Sequence, residues 1–339
     1  MPALRSKAKT GAQGAVPKRK VKKEDGKAMV KKEEQLNGRK IKTEFVNDIK
    51  NEIKEEADAY VKEQKSTPKR STSTKDGKMK LLDGFGESPF PSFKAPTHEQ
   101  AHRILDSLAA VHGGAPQRPL EPPKSADLHA GCGEVPSVLD ALIRTILSQN
   151  TSDRNSSAAK RSLDATFSFD PEEKYKLVHA AKEEEVADAL RCGGLANIKA
   201  HRIKAILQDI FNRRGGELNL DYMHEKSNRE VMEELMSFNG VGPKTASCVL
   251  LFCLKRSSFA VDTHVFRLTK ALGWIPPKAS REQAHMHLDA RLPEEIKYPL
   301  HVLLIREGKR CPRCAAKSRK SDIPCGLRDV KIEPGDVDV

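Results

Sequence analysis

Apolar residues recur at helical spacing along most of the second half of the chain. From Ser137 to Leu147, Val138, Leu139, Leu142, Ile143, Ile146 and Leu147 fall on one face, which predicts a helix. The polar run Ser148-Gln149-Asn150-Thr151-Ser152-Asp153 ends it, and a second helix is expected from Asp153 to about Thr166. Upstream, Thr97 with Gln100 three residues on reads as a capping box opening a helix to about His112. Further helices are expected at 171–180, 183–191, 197–213, 228–238, 265–272, 280–290 and 294–307. The run Cys192-Gly193-Gly194-Leu195-Ala196-Asn197-Ile198-Lys199 is a glycine turn into one of these helix starts. No segment sustains the two-residue alternation of a strand, so the predicted fold class is all-α.

The stretch from Asn239 to Arg267 organises the rest. A turn, Gly240-Val241-Gly242, leads through Pro243 into an apolar helical run that reaches Leu254. Pro suits a first helical position, because its missing N–H has no partner there in any case. The glycines let a ligand approach the backbone and leave N–H groups at the positive end of the helix dipole, where an anion is welcome. Lys244 sits in that first turn against the dipole, which calls for a role. Asp262 follows once the helix has ended. The amides and hydroxyls of 148–153 have two readings at this point: contacts to base edges or phosphates, or a capped joint between two helices.

Composition changes the picture at the N-terminus. Apolar residues make up 37% and aromatics 5%, low for a chain that is globular throughout, and the formal net charge is +13. Residues 1–80 hold 23 Lys/Arg and 12 Asp/Glu, a net of +11, while the other 259 hold 37 and 35, a net of +2. Such a segment reads as a disordered basic arm with affinity for nucleic acid, or as a tail that only solubilises. A Ser/Thr/Pro/Gly/Lys linker extends it to residue 96, and residues 328–339 read as a disordered acidic C-terminal tail. The run Pro17-Lys18-Arg19-Lys20-Val21-Lys22-Lys23 resembles a nuclear localisation signal. A mitochondrial presequence competes, but Pro2, Gly11, Gly14 and Pro17 spoil an amphipathic helix. No run approaches the ~18 apolar residues of a membrane span, and no apolar leader is present, so neither membrane nor secretion is expected. Seven scattered cysteines, an odd number, argue for a reducing compartment.

Six tail segments share a pattern of aliphatic residue, lysine, any residue, glutamate, centred on Lys22, Lys31, Lys42, Lys50, Lys54 and Lys331. The pattern resembles the acceptor consensus for conjugation of the small ubiquitin-like modifier SUMO. The same composition also makes a solvated, partly helical segment with i,i+4 pairs.

The pair of segments Asn239–Ala246 and Val261-Asp262-Thr263-His264-Val265-Phe266-Arg267 resembles the helix–hairpin–helix, Gly/Pro-rich-loop, aspartate (HhH-GPD) superfamily of DNA glycosylases, its endonuclease III branch most of all. The resemblance covers about 97–315. It implies a two-lobed, all-α glycosylase domain over 97–327. Residues 137–255 would form a six-helix lobe with the hairpin, and 97–136 plus 256–327 the second lobe. It also implies that Lys244 is the nucleophile and Asp262 the catalytic aspartate. Gln149 or Asn150 would enter the space vacated by a flipped base. Gly240, Val241, Gly242 and Thr245, with Lys199 on the neighbouring turn, would contact DNA. A base cannot be reached inside the stack and must be flipped out. An amine can then displace it and form a Schiff base with the opened sugar, with Asp262 accepting the proton. Double-stranded DNA carrying a damaged base is the implied partner, an oxidised pyrimidine the first choice, and a monomer is expected. The alternatives are a glycosylase for mismatched thymine, 8-oxoguanine or 5-methylcytosine, and a helix–hairpin–helix module that binds DNA without catalysis.

The endonuclease III branch carries four cysteines spaced C-x6-C-x2-C-x5-C for a [4Fe–4S] cluster. This chain has C-x2-C-x10-C, formed by Cys311, Cys314 and Cys325, and no fourth cysteine nearby. Four thiolates are the normal requirement. The expectation is that the cluster is lost, leaving an incomplete motif, no metal and no cofactor. Lys317, Arg319 and Lys320 in the long gap are candidates for phosphate contacts.

Overall fold

The computed structural model describes residues 84–121 and 134–329. The basic tail, Cys132 and all six lysines of the repeated pattern lie outside the described residues.

Among the described residues every regular element is helical. Helix α1 spans His98–His112, α2 Val138–Ser148, α3 Asp153–Thr166, α4 Pro171–Ala180 and α5 Glu183–Leu190. After a 3-10 turn come α6 at Ala196–Arg213, α7 at Asn228–Ser237 and α8 at Pro243–Cys248. Then α9 spans Thr263–Ala271, α10 Arg281–Arg291 and α11 Glu294–Arg310. The starts follow local chemistry. Thr97 accepts from the Gln100 N–H while the Gln100 side chain accepts from Thr97 N–H, the reciprocal box that the sequence predicts. Ser137, Ser152 and Asp170 cap α2, α3 and α4 in the same one-sided way.

One element differs from its expectation. The apolar run after Pro243 is not one uniform helix. It is α-helical to Cys248 and then widens into a π-helical turn over Val249–Cys253. Val249, Leu250, Leu251 and Cys253 are all buried in this turn.

Two apolar cores result. One gathers residues between Val135 and Ala260, with Leu142, Ile143, Ile146, Ile203, Leu207, Leu235 and Val249 at its centre. The other joins α1 to the chain after Phe259, with Leu108, Val265, Trp274, Leu300, Leu303 and Leu304 buried together. Helix α11 packs along both α1 and α9.

The first core also holds a buried charge network. Asp140 on α2, Asp164 on α3 and Lys174 on α4 are each at most 3% exposed. Lys174 Nζ donates to Asp164 at 2.8 Å and Asp140 at 3.2 Å; Asp140 also accepts from Arg144 Nε at 2.5 Å and the Tyr175 hydroxyl at 2.7 Å. Lys160 closes the set on Asp164. Buried charges persist only when paired and hydrogen-bonded, so this network pins the relative rotation of the three helices beneath the 148–153 loop.

Candidate active site

The loop from Ser148 to Ser152 is held from below. The ammonium group of Lys199, on the first turn of α6, donates to the Leu147 carbonyl at 2.7 Å and to the Thr151 hydroxyl at 2.5 Å. It thereby satisfies one of the carbonyls that the end of α2 leaves without a helical partner. Burial lowers the pKa of Lys199 to about 8. The expectation of a DNA contact from Lys199 is therefore corrected: the side chain is only 2% exposed and points at the protein.

Gln149 is held from the side. Its Nε2 donates to the Gly240 carbonyl and to the Thr245 hydroxyl, each at 3.1 Å, and its Oε1 accepts from Arg202 at 3.0 Å. Asn150 is its opposite. It is exposed, with the left-handed φ of +50° that asparagine tolerates best after glycine. Of the two candidates for the space left by a flipped base, Gln149 is committed to the hairpin and Asn150 faces outward. Leu195 shares this character, being 46% exposed at φ +54° at the start of α6. In sequence it is one more residue of the Gly193-Gly194 turn, and its exposure emerges only from the structure.

Gly240 owes its glycine first to its backbone and only secondarily to the Arg202 side chain, which could shift. Its φ is +79°, and an added Cβ would lie 2.9 Å from Arg202 Cδ. Val241 and Thr245 are expected to contact DNA, Val241 through its backbone N–H, yet both are turned into the protein. Val241 is 1% exposed and its N–H closes the turn on the Phe238 carbonyl at 3.3 Å; Thr245 is 4% exposed with its hydroxyl turned to Gln149. Both positions shape the hairpin and present no side chain to solvent. Gly242, half-buried, caps α8 through its carbonyl, which accepts from Thr245 and Ala246.

Lys244 is half-buried on the first turn of α8. Asp262, also half-buried, is the N-cap of α9, its Oδ1 accepting from Val265 N–H at 2.7 Å. That cap fixes the carboxylate at the positive end of the α9 dipole. His301 on α11 completes the group. It is 2% exposed and its Nδ1 donates to the Ala260 carbonyl at 2.9 Å. Its pKa falls to about 4, first because burial disfavours the imidazolium; Asp262 opposes that shift and Lys244 reinforces it. His301 is thus within electrostatic reach of both Lys244 and Asp262, which lie 18 residues and a π-helical turn apart in sequence. At neutral pH the histidine there carries no charge.

The three cysteines also have company. Cys311, Cys314 and Cys325 converge with Glu307, all buried, with one donor atom from each lying within 4.8 Å of the others. Burial works against the Glu307 carboxylate, but hydrogen bonds from Cys311, Cys325 and His112 outweigh it and hold its carboxyl below the usual range. The expectation of an incomplete motif is corrected in this respect: a fourth donor is present, and it is a glutamate on α11. The set does not match the four thiolates that a [4Fe–4S] cluster normally takes.

Residues 143–294 match the HhH-GPD superfamily of base excision DNA repair proteins. An Arabidopsis thaliana protein provisionally named a DNA glycosylase is 41% identical over 245 residues, which span 68% of this chain and 82% of that one. Endonuclease III of Thermotoga maritima is 32% identical over 185 residues, spanning 52% of this chain and 79% of the bacterial protein. A solved endonuclease III–DNA complex shares the fold, with a TM-score of 0.51 at 24% identity over 66% of this chain and 90% of that one. With its hairpin, its lysine and its capping aspartate in these positions, the chain belongs to the HhH-GPD superfamily, on the endonuclease III side.

Proposed function

We propose that this protein is a DNA glycosylase with AP-lyase activity that removes an oxidised pyrimidine from duplex DNA through a Schiff base on Lys244. The observation that carries the reading is that Lys244 and Asp262 both act on the neutral His301, while Gln149 ties the loop bearing the exposed, left-handed Asn150 to the hairpin that precedes Lys244. Asn150 enters the duplex as the damaged nucleotide leaves it, offsetting part of the unstacking cost. The Lys244 amine attacks the anomeric carbon, the bond to the base breaks, and the base departs. Asp262 takes a proton from the amine and stabilises cationic character on the sugar. Ring opening gives the Schiff base, and loss of a proton from the adjacent carbon expels the 3′ phosphate. An uncharged His301 adds no positive charge beside the lysine, which must spend time as a free amine.

The hairpin holds a phosphate through the backbone at Gly240 and Gly242, and the tail adds sequence-independent attraction to DNA. The basic run at 17–23 favours work in the nucleus. A relative named as an endonuclease fits a reaction that ends in strand cleavage. The test is a set of duplexes, each with one oxidised pyrimidine, 8-oxoguanine, 5-methylcytosine or G·T mismatch, scored for base release and strand cleavage separately. Preferred release of the oxidised pyrimidine with accompanying cleavage supports the proposal. Binding without release from any of them would make the protein a non-catalytic module.

A further inference from the structure

We propose that Glu307, Cys311, Cys314 and Cys325 form a structural site for a single zinc ion. Cys314 Sγ lies 3.4 Å from Cys325 Sγ, and Cys325 Sγ lies 3.2 Å from Glu307 Oε1. Around one tetrahedral zinc with bonds of about 2.3 Å to sulfur and 2.1 Å to oxygen, neighbouring donors stand about 3.5–3.8 Å apart. In a four-iron cluster each thiolate binds a different iron, so the sulfurs lie farther apart than donors that share one ion. Two separations of 3.4 and 3.2 Å, with all four donors within 4.8 Å of one another, are tighter than a cluster's thiolates and close to those around a single ion. Three soft sulfurs with a carboxylate lie within the range that zinc accepts.

The surroundings are those of a closed site. All four donors are buried, which leaves no open position for a substrate. His112 Nε2 donates to the second Glu307 oxygen at 2.8 Å, and the backbone N–H of Arg328 donates to Cys325 Sγ at 3.3 Å. Such outer bonds orient ligands and stabilise charge on them. The site joins three parts of the second core. Glu307 is on α11 and His112 ends α1. The Cys314 carbonyl accepts from Arg267 at 2.5 Å, on the helix that Asp262 caps. Gly326 lies so close to α1 that an added Cβ would meet Leu108 Cα at 3.0 Å. The ion therefore fastens the loop bearing Lys317, Arg319 and Lys320 to the helix behind the catalytic aspartate.

The test uses the full-length protein, purified without added metal and analysed for zinc, iron and sulfide. About one zinc per chain is expected, with exchange into Co²⁺ giving the intense charge-transfer absorption of cobalt–thiolate bonds. Glu307→Gln should weaken zinc binding at least tenfold, read by competition with a chromogenic chelator. Cys325→Ser is a harsher variant that risks misfolding, so the wild-type cobalt spectrum stands as the independent readout. About four irons with sulfide and a broad band near roughly 400 nm would overturn the proposal in favour of the cluster. So would a metal-free protein that shows neither cobalt–thiolate bands nor any rise in melting temperature with added Zn²⁺.

Discussion

Gln149 donates its side-chain amide to the Gly240 carbonyl at 3.1 Å, tying the loop after α2 to the hairpin before α8. Its neighbour Asn150 is thereby presented on a braced loop. The two amides should respond differently to mutation. Gln149→Ala removes partners from Arg202 and Thr245 and should cost about 1–2 kcal/mol of stability. Asn150→Gly keeps the left-handed backbone and should leave the melting temperature nearly unchanged while slowing base release in single turnover. Equal loss of stability from both changes would contradict the division of roles.

The charge network under that loop should be sensitive to loss of one member. Asp140→Ala leaves Arg144, Lys174 and the Tyr175 hydroxyl short of an acceptor inside the first core. A destabilisation of about 3–5 kcal/mol is expected from denaturant unfolding. A cost below about 1 kcal/mol would mean that water reaches the network.

His301 makes stability depend on pH. Its pKa is about 4 in the folded protein and ~6.5 in an unfolded chain, so between these values the unfolded state binds more protons. Stability should therefore be full above pH ~6.5 and fall as the pH drops toward 4, by on the order of 3 kcal/mol from this group. Replacing His301 with Gln should flatten that part of the profile, measured as unfolding free energy against pH.

Deletion of residues 1–80 removes a net charge of +11. Each lost phosphate contact should reduce the slope of log K against log salt by roughly 0.9 for non-specific duplex binding. Cleavage of a damaged duplex should persist, since Lys244 on α8 and Asp262 capping α9 lie well beyond the deletion. A folded but inactive truncated protein would contradict this.

The helices were legible because their signals are local: the Thr97–Gln100 box, the Ser and Asp caps, and apolar spacing of three and four. The π-helical turn was not, since a run such as Val249-Leu250-Leu251-Phe252-Cys253 reads the same in either winding. Lys244 and Asp262 stood out through the glycine turn and the family resemblance. The inward turn of Lys199 was hidden, because a lysine is buried only where carbonyl and hydroxyl acceptors await it, and those come from residues about 50 positions away. Glu307 was hidden for a similar reason. In sequence it is one more acidic residue of a helix, and only packing of the 311–325 loop against α11 makes it the fourth of a set.

The most direct measurement is borohydride trapping on a duplex with an oxidised pyrimidine or an abasic site. Wild-type protein should give a covalent adduct, formed by reduction of the Schiff base. Lys244→Gln should give none while binding the duplex within a few-fold of wild type. Undiminished strand cleavage or trapping by the Lys244→Gln protein would contradict the assignment of the nucleophile, and with it the proposed reaction.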